Sequence, residues 1–200
     1  MDRVTRQPTA DEGAPPSHAA APLGRHVALL GLMGTGKTAV GMQLANALDV
    51  RFDDNDSRLT AASGLTPREL RNRDGMVVLH SFEAQHFLGA LRFPVPGVVS
   101  AAASVVEDSS CRAALRSPEI CAIWLRVEPS TLAARFHREQ HRPIYSEDLE
   151  SFFESQLAAR APLYQEVSDS VIDTDGLTVD EVVTLVLPTV AQHLSAALRA

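Results

Sequence analysis

From Arg25 onward the chain alternates short apolar runs with longer segments in which apolar residues return at helical spacing. The runs at 26–31 (HVALLG), 50–53, 97–101, 120–126 (ICAIWLR) and 169–173 predict strands. Between them Val40, Leu44 and Leu48 recur every four residues, as do Leu149, Phe153 and Leu157. The stretch 178–198 predicts a long closing helix with Val182, Leu185, Val186 and Val190 on one side. Strand–helix alternation of this kind implies an α/β fold, a parallel sheet covered by helices on both faces.

Residues 1–24 show no such period. They are polar and rich in Pro and Ala, without the apolar core of a signal peptide, and are expected to form a disordered tail ahead of a single domain, 25–200. Two hundred residues with 45% apolar content suffice for one proper core. A formal charge of −7 argues against a general nucleic-acid binder, which would carry a basic face. No apolar stretch approaches the length of a membrane span. Cys111 and Cys121 have no metal or redox spacing and read as buried residues of a reducing compartment. The expectation is a cytoplasmic protein, monomeric or weakly homo-oligomeric, with a small-molecule partner and no nucleic-acid or membrane partner.

Directly after the first strand comes GLMGTGKT, Gly31 to Thr38, which fits the phosphate-binding loop GxxxxGK[ST]. Gly31, Gly34 and Gly36 let the backbone curl so that successive N–H groups face inward, and the helix that follows adds its positive end. Gly34, Thr35, Gly36, Lys37, Thr38 and Ala39 are the nucleotide-binding candidates. Lys37 would reach the β- and γ-phosphates, and the Thr38 hydroxyl would ligate Mg²⁺. Lys37 is also the one lysine in a chain with seventeen arginines, placed where a slender point charge suits phosphate. That single lysine excludes an NKxD guanine-reading motif, and the chain is short for a motor ATPase. A small kinase is the remaining class.

At the end of the second strand stands FDDND, 52–56. On an extended segment Asp54 and Asp56, two apart, would point the same way. One could orient the water shell of Mg²⁺ while the other accepts a hydrogen bond from an alcohol. The competing assignment is an acidic turn in which Asp56 caps the next helix.

HRPIY (141–145) and RAPLY (160–164) follow, separated by an amphipathic helix. With these motifs in order, the chain from about Arg25 to its end resembles the shikimate kinases. The resemblance implies a three-layer P-loop fold of the nucleoside-monophosphate-kinase type with a five-stranded parallel sheet. It also implies an acceptor-binding region near 56–91 and a lid near 137–148. The cofactors would be ATP and Mg²⁺. By position, Asp54 would serve the metal's water shell, Asp56 the reacting hydroxyl, and Arg135 the adenine. Arg142 would close over the γ-phosphate, Arg160 would bind the acceptor's carboxylate, and Glu83 would steady a substrate-binding arginine.

That arginine is absent, because the family's Phe-Arg pair is Leu79–His80 here. A family phenylalanine of the acceptor pocket falls at Arg71, and the family's three glycines after the central strand are Ala101, Ala102 and Ala103. His80, Ala102 and Ala103 thus join Asp56 and Arg160 as acceptor-binding candidates. Each added Cβ limits close backbone approach. The donor half of the site (Lys37, Thr38, Asp54, Arg135 and Arg142) is complete by motif, while the acceptor half keeps Asp56, Glu83 and Arg160 but is altered; Lys37, Asp56 and Arg142 would carry the transfer. The expected activity is ATP-dependent phosphorylation of a hydroxyl of shikimate or a related hydroxylated anion. The alternatives are a catalytically silent paralogue acting through protein contacts, and an NTPase with water as acceptor.

Overall fold

The computed structural model describes residues 25–138 and 148–197. The expected tail, Arg142 and most of the expected lid lie outside them. Five strands form one sheet: β1 (His26–Leu30), β2 (Arg51–Asp54), β3 (Gly97–Ser100), β4 (Ile120–Arg126) and β5 (Ser170–Asp173). Their order is β2-β3-β1-β4-β5, and every neighbouring pair is parallel. β1 and β4 are buried almost throughout, as strands covered on both faces should be, which is why they read as unbroken apolar runs.

Eight helices pack around the sheet among the described residues: α1 (Lys37–Ala47), α2 (Asn55–Ser63), α3 (Pro67–Asp74), α4 (Met76–Leu91), α5 (Ser109–Leu115), α6 (Pro129–Arg138), α7 (Leu149–Val167) and α8 (Val179–Ala197). On one face Val40 and Leu44 of α1 meet Val182, Val183, Val186 and Val190 of α8 over Val27, Leu29 and Ile123. On the other, Phe87, Leu132, Phe136, Phe153 and Tyr164 cover Ala28, Leu30, Ala122 and Trp124. Trp124 and Tyr164 stack at 5.3 Å, and Phe136 meets Phe153 edge-on at 5.0 Å. A smaller cluster of Leu59, Leu70 and Leu79 ties α2, α3 and α4 together beside the sheet.

α8 departs from its predicted face at one position. Val183 is buried, and Leu185 is 50% exposed. At about 100° per residue, Val182, Val183, Val186 and Val190 define a stripe from whose centre Leu185 lies about 120° away. Cys111 and Cys121 are buried free thiols, pushed up to about 12 chiefly by burial. No helix among the described residues is long and apolar enough to cross a membrane.

With all strands parallel, β1, β2 and β3 deliver their following loops to one edge of the sheet, where ligands of open α/β sheets bind. The phosphate loop, the aspartates and the alanines thus share an edge.

Candidate active site

The phosphate loop leaves β1 at Gly31, whose φ of 140° takes the chain out of the strand. A Cβ there would lie 2.5 Å from the carbonyl oxygen of Leu125, so the loop runs close against β4. Gly34, at φ 82°, lies under Phe136, where a Cβ would be 2.9 Å from the ring. Thr35 is buried and its hydroxyl donates to the Leu32 carbonyl at 2.9 Å, closing the curl. Gly36 then starts α1 with no side-chain cap. The first-turn N–H groups of α1 make up the helix's positive end. This is the backbone of an anion site.

Lys37 is buried, and its Nζ donates to the carbonyls of Gly31 (2.9 Å) and Leu32 (2.8 Å). The ammonium is thereby held over the loop. Arg135 of α6 donates to the Gly34 carbonyl at 3.0 Å. It is half-buried against the loop rather than a freely solvated helix residue.

Thr38 and Asp54 meet where β1 and β2 end. The Thr38 hydroxyl donates to Asp54 Oδ2 at 2.9 Å. Asp54 Oδ1 accepts from the Ser57 N–H at 3.0 Å and its hydroxyl at 3.1 Å, making Asp54 the N-cap of α2. The cap is therefore Asp54, and the capping assignment for Asp56 does not hold. Nor do the two aspartates share an extended segment: β2 stops at Asp54, α2 begins at Asn55, and Asp56 is an exposed residue of the helix's first turn. A hydroxyl beside a carboxylate is a hard-oxygen donor set, the kind that suits Mg²⁺.

On the acceptor side Ala101 continues the ladder, its N–H donating to Leu29 O at 3.0 Å. Among the described residues Asp49 is the one non-glycine with positive φ, so Ala101, Ala102 and Ala103 lie outside the glycine region. The methyls are accommodated without backbone strain, and the chain turns at once into a 3₁₀ segment, Val105–Glu107. The Tyr164 hydroxyl fixes the turn by donating to the Ala103 carbonyl at 2.9 Å. Returning all three alanines to glycine should gain no conformational access and lower stability by about 1–3 kcal/mol, the usual Gly/Ala cost. A chemical-denaturation midpoint that drops with unchanged m-value would show this.

Glu83 of α4 is buried and accepts a hydrogen bond from the Ser104 hydroxyl. Burial pushes its carboxyl up to about 7, the Ser104 bond opposing and the charge of Asp56 adding. A folded pKa above the unfolded value of 4.5 stabilises the protein fully below pH 4.5, and that contribution is lost as pH rises through 7. At 1.36 kcal/mol per unit the loss is on the order of 3 kcal/mol. Unfolding free energies of the wild type and Glu83→Gln should therefore diverge by about that amount between pH 4.5 and 8, the glutamine variant gaining. A constant difference would refute the assignment.

Where the family's arginine would stand, His80 is half-buried and its pKa is lowered by burial, partly offset by Glu107. It faces Glu107, Nδ1 to Oε2 at 3.4 Å. Arg160 of α7 is buried; its Nε donates to Glu107 Oε1 at 2.8 Å and its Nη1 to Gln156. Arg71 lies half-buried on α3. The structure thus brings together Lys37, Thr38 and Asp54, expected to serve the nucleotide, and gathers His80, Glu83 and Arg160, expected to serve the acceptor, around Glu107. It adds Glu107, which neither composition nor motif marked.

Comparison with known proteins bears on the family and the fold. The family model described as shikimate kinase matches residues 33–191. A shikimate kinase of Ralstonia nicotianae is 33% identical over 163 residues, covering 81% of this chain and 85% of that protein. One from Frankia casuarinae is 34% identical over 159 residues, covering 80% and 69%. The solved structure of a shikimate kinase from Acinetobacter baumannii in complex with shikimate shares the fold. Its TM-score is 0.78 at 24% identity, over 84% of this chain and 93% of that one. On the matched span, the parallel P-loop sheet and the shared motifs, the chain belongs to the shikimate kinase family.

Proposed function

We propose that the chain transfers the γ-phosphoryl group of ATP to a hydroxyl of shikimate or a related small hydroxylated compound. The acceptor oxygen bonds to phosphorus as the bond to the leaving ADP breaks, and the hydroxyl proton passes to Asp56 or to water. The uncapped first turn of α1 and the Lys37 ammonium take the phosphates. Mg²⁺, which would neutralise phosphate charge, fits the Thr38 hydroxyl with Asp54 on its water shell. Asp56 orients the hydroxyl, and Arg160, with His80 and the backbone of Ala102 and Ala103 nearby in the fold, forms the acceptor side. Arg142 joins this reading by motif alone.

The observation that carries the reading is the Thr38–Asp54 hydrogen bond. It locks the phosphate loop to the strand end from which the acceptor aspartate follows, so donor and acceptor chemistry meet at one place. Positioning and charge neutralisation are what phosphoryl transfer asks of a protein. The test is coupled ADP release with ATP and Mg²⁺, with and without shikimate and a panel of hydroxylated ring compounds. Acceptor-stimulated turnover supports the reading. Nucleotide binding with no stimulation by any acceptor overturns it and favours a silent paralogue.

A further inference from the structure

The altered acceptor half is not merely short of an arginine; a carboxylate of the chain itself has entered it. Glu107 ends the 3₁₀ turn that follows the three alanines. Val105 and Val106 are buried, leaving Glu107 as the exposed position of the turn. Its backbone is pinned by Arg112, whose Nη1 donates to the carbonyls of Val106 (2.6 Å) and Glu107 (3.0 Å). On the other side Tyr164, one helical turn beyond Arg160, ties α7 to the Ala103 carbonyl. The Arg160–Glu107 pair is therefore held between two fixed backbones rather than formed by two wandering surface side chains.

Arg160 has 9% of its side chain exposed, against 39% for Glu107 and 32% for His80. Its Nε is taken by Glu107 and its Nη1 by Gln156, so two faces of the guanidinium fork are already engaged within the chain. Fork geometry is what makes arginine a receptor for a planar carboxylate. Two further carboxyls stand near Arg160 besides the Glu107 carboxylate it already holds: Asp56, and Glu83, whose carboxyl is pushed up to about 7 chiefly by burial. A carboxylated ligand arriving here must displace one carboxylate and approach others, and juxtaposed like charges select strongly against a partner.

We propose that Glu107 is an acceptor-specificity residue: seated on Arg160, it occupies the place an acceptor's carboxylate would take and weights the site toward uncharged polyols over carboxylated ones. This rests on the reading of Arg160 as the acceptor-binding arginine and narrows the acceptor class within the proposed phosphotransfer.

Shikimate and its methyl ester differ by one charge and serve as probes. Their dissociation constants are measured by calorimetry with ADP and Mg²⁺ present, for the wild type, Glu107→Gln, Glu107→Ala and the double variant Glu107→Gln/Arg160→Gln. Both single variants should shift the preference for shikimate over its ester at least tenfold toward shikimate, and the double variant should lose that gain. An unchanged ratio, weaker shikimate binding, or no shikimate binding by either single variant overturns the proposal. Because the readout is binding, the two readings can fail separately. A shifted ratio in a protein that transfers no phosphoryl group sinks the kinase reading and leaves this one. Transfer with an unshifted ratio does the reverse.

Discussion

Lys37→Met is expected to lower kcat/KM for ATP about 10³-fold, about 4 kcal/mol of transition-state stabilisation, while leaving the fold intact. The charge that develops on the transferring group needs a fixed positive partner, and the Lys37 ammonium is already held over the phosphate loop by the carbonyls of Gly31 and Leu32. Methionine keeps the stem and removes the charge. The Gly31 and Leu32 carbonyls lose a buried donor, so stability should fall by about 1–3 kcal/mol, less than most domains hold in reserve. No other lysine in the chain can substitute, since there is none. Initial rates of ADP release at varied ATP, with a thermal melt on the same sample, check both halves. Activity within tenfold of the wild type would remove Lys37 from the mechanism.

Asp56→Asn should reduce kcat by about 10²–10⁴, the range of a positioned acid–base group, with nucleotide affinity changed less than threefold. The substitution is nearly isosteric and leaves the local architecture in place, because the cap of α2 is made by Asp54 and Ser57, not by Asp56. Thr60 also holds the Asp56 backbone, its hydroxyl donating to the carbonyl at 2.8 Å. A fall in kcat with an unchanged nucleotide dissociation constant therefore isolates the carboxylate's part in handling the acceptor hydroxyl. A kcat within threefold of the wild type would show that Asp56 does not handle it.

β1, β3 and β4 are legible because buried parallel strands carry apolar runs, whereas the edge strands β2 (RFDD) and β5 (SVID) are only partly apolar; all five lie within about a residue of the expected spans. The phosphate loop was legible because its glycines and lysine are local and their spacing is fixed by phosphate geometry. The path from Asp54 to Asp56 was misjudged, since whether a strand ends in an extended segment or in a helix turned on a side-chain cap from Asp54 to Ser57. Helical spacing puts Leu185 on one side with Val182, Val186 and Val190, but the buried stripe of α8 is centred toward Val183 and leaves Leu185 half exposed. The alanines raised the question of strain, and their torsions answer it: the turn after β3 runs without left-handed residues. Glu107 escaped notice because an acidic residue closing a short turn has no period, and its arginine partner is 53 residues away.

The strand order has a consequence for how such a protein can diverge. β3 lies between β1, which carries the phosphate loop, and β2, which carries the aspartates. On the proposed function the turn after β3 faces the acceptor, and it shares no residue with either neighbouring loop. Substitutions there, and on α4 and α7 above it, can exchange the molecule being recognised while the machinery for moving phosphate is inherited unchanged. Descent with a new substrate would then act on this turn and on α4 and α7 and leave the phosphate loop alone.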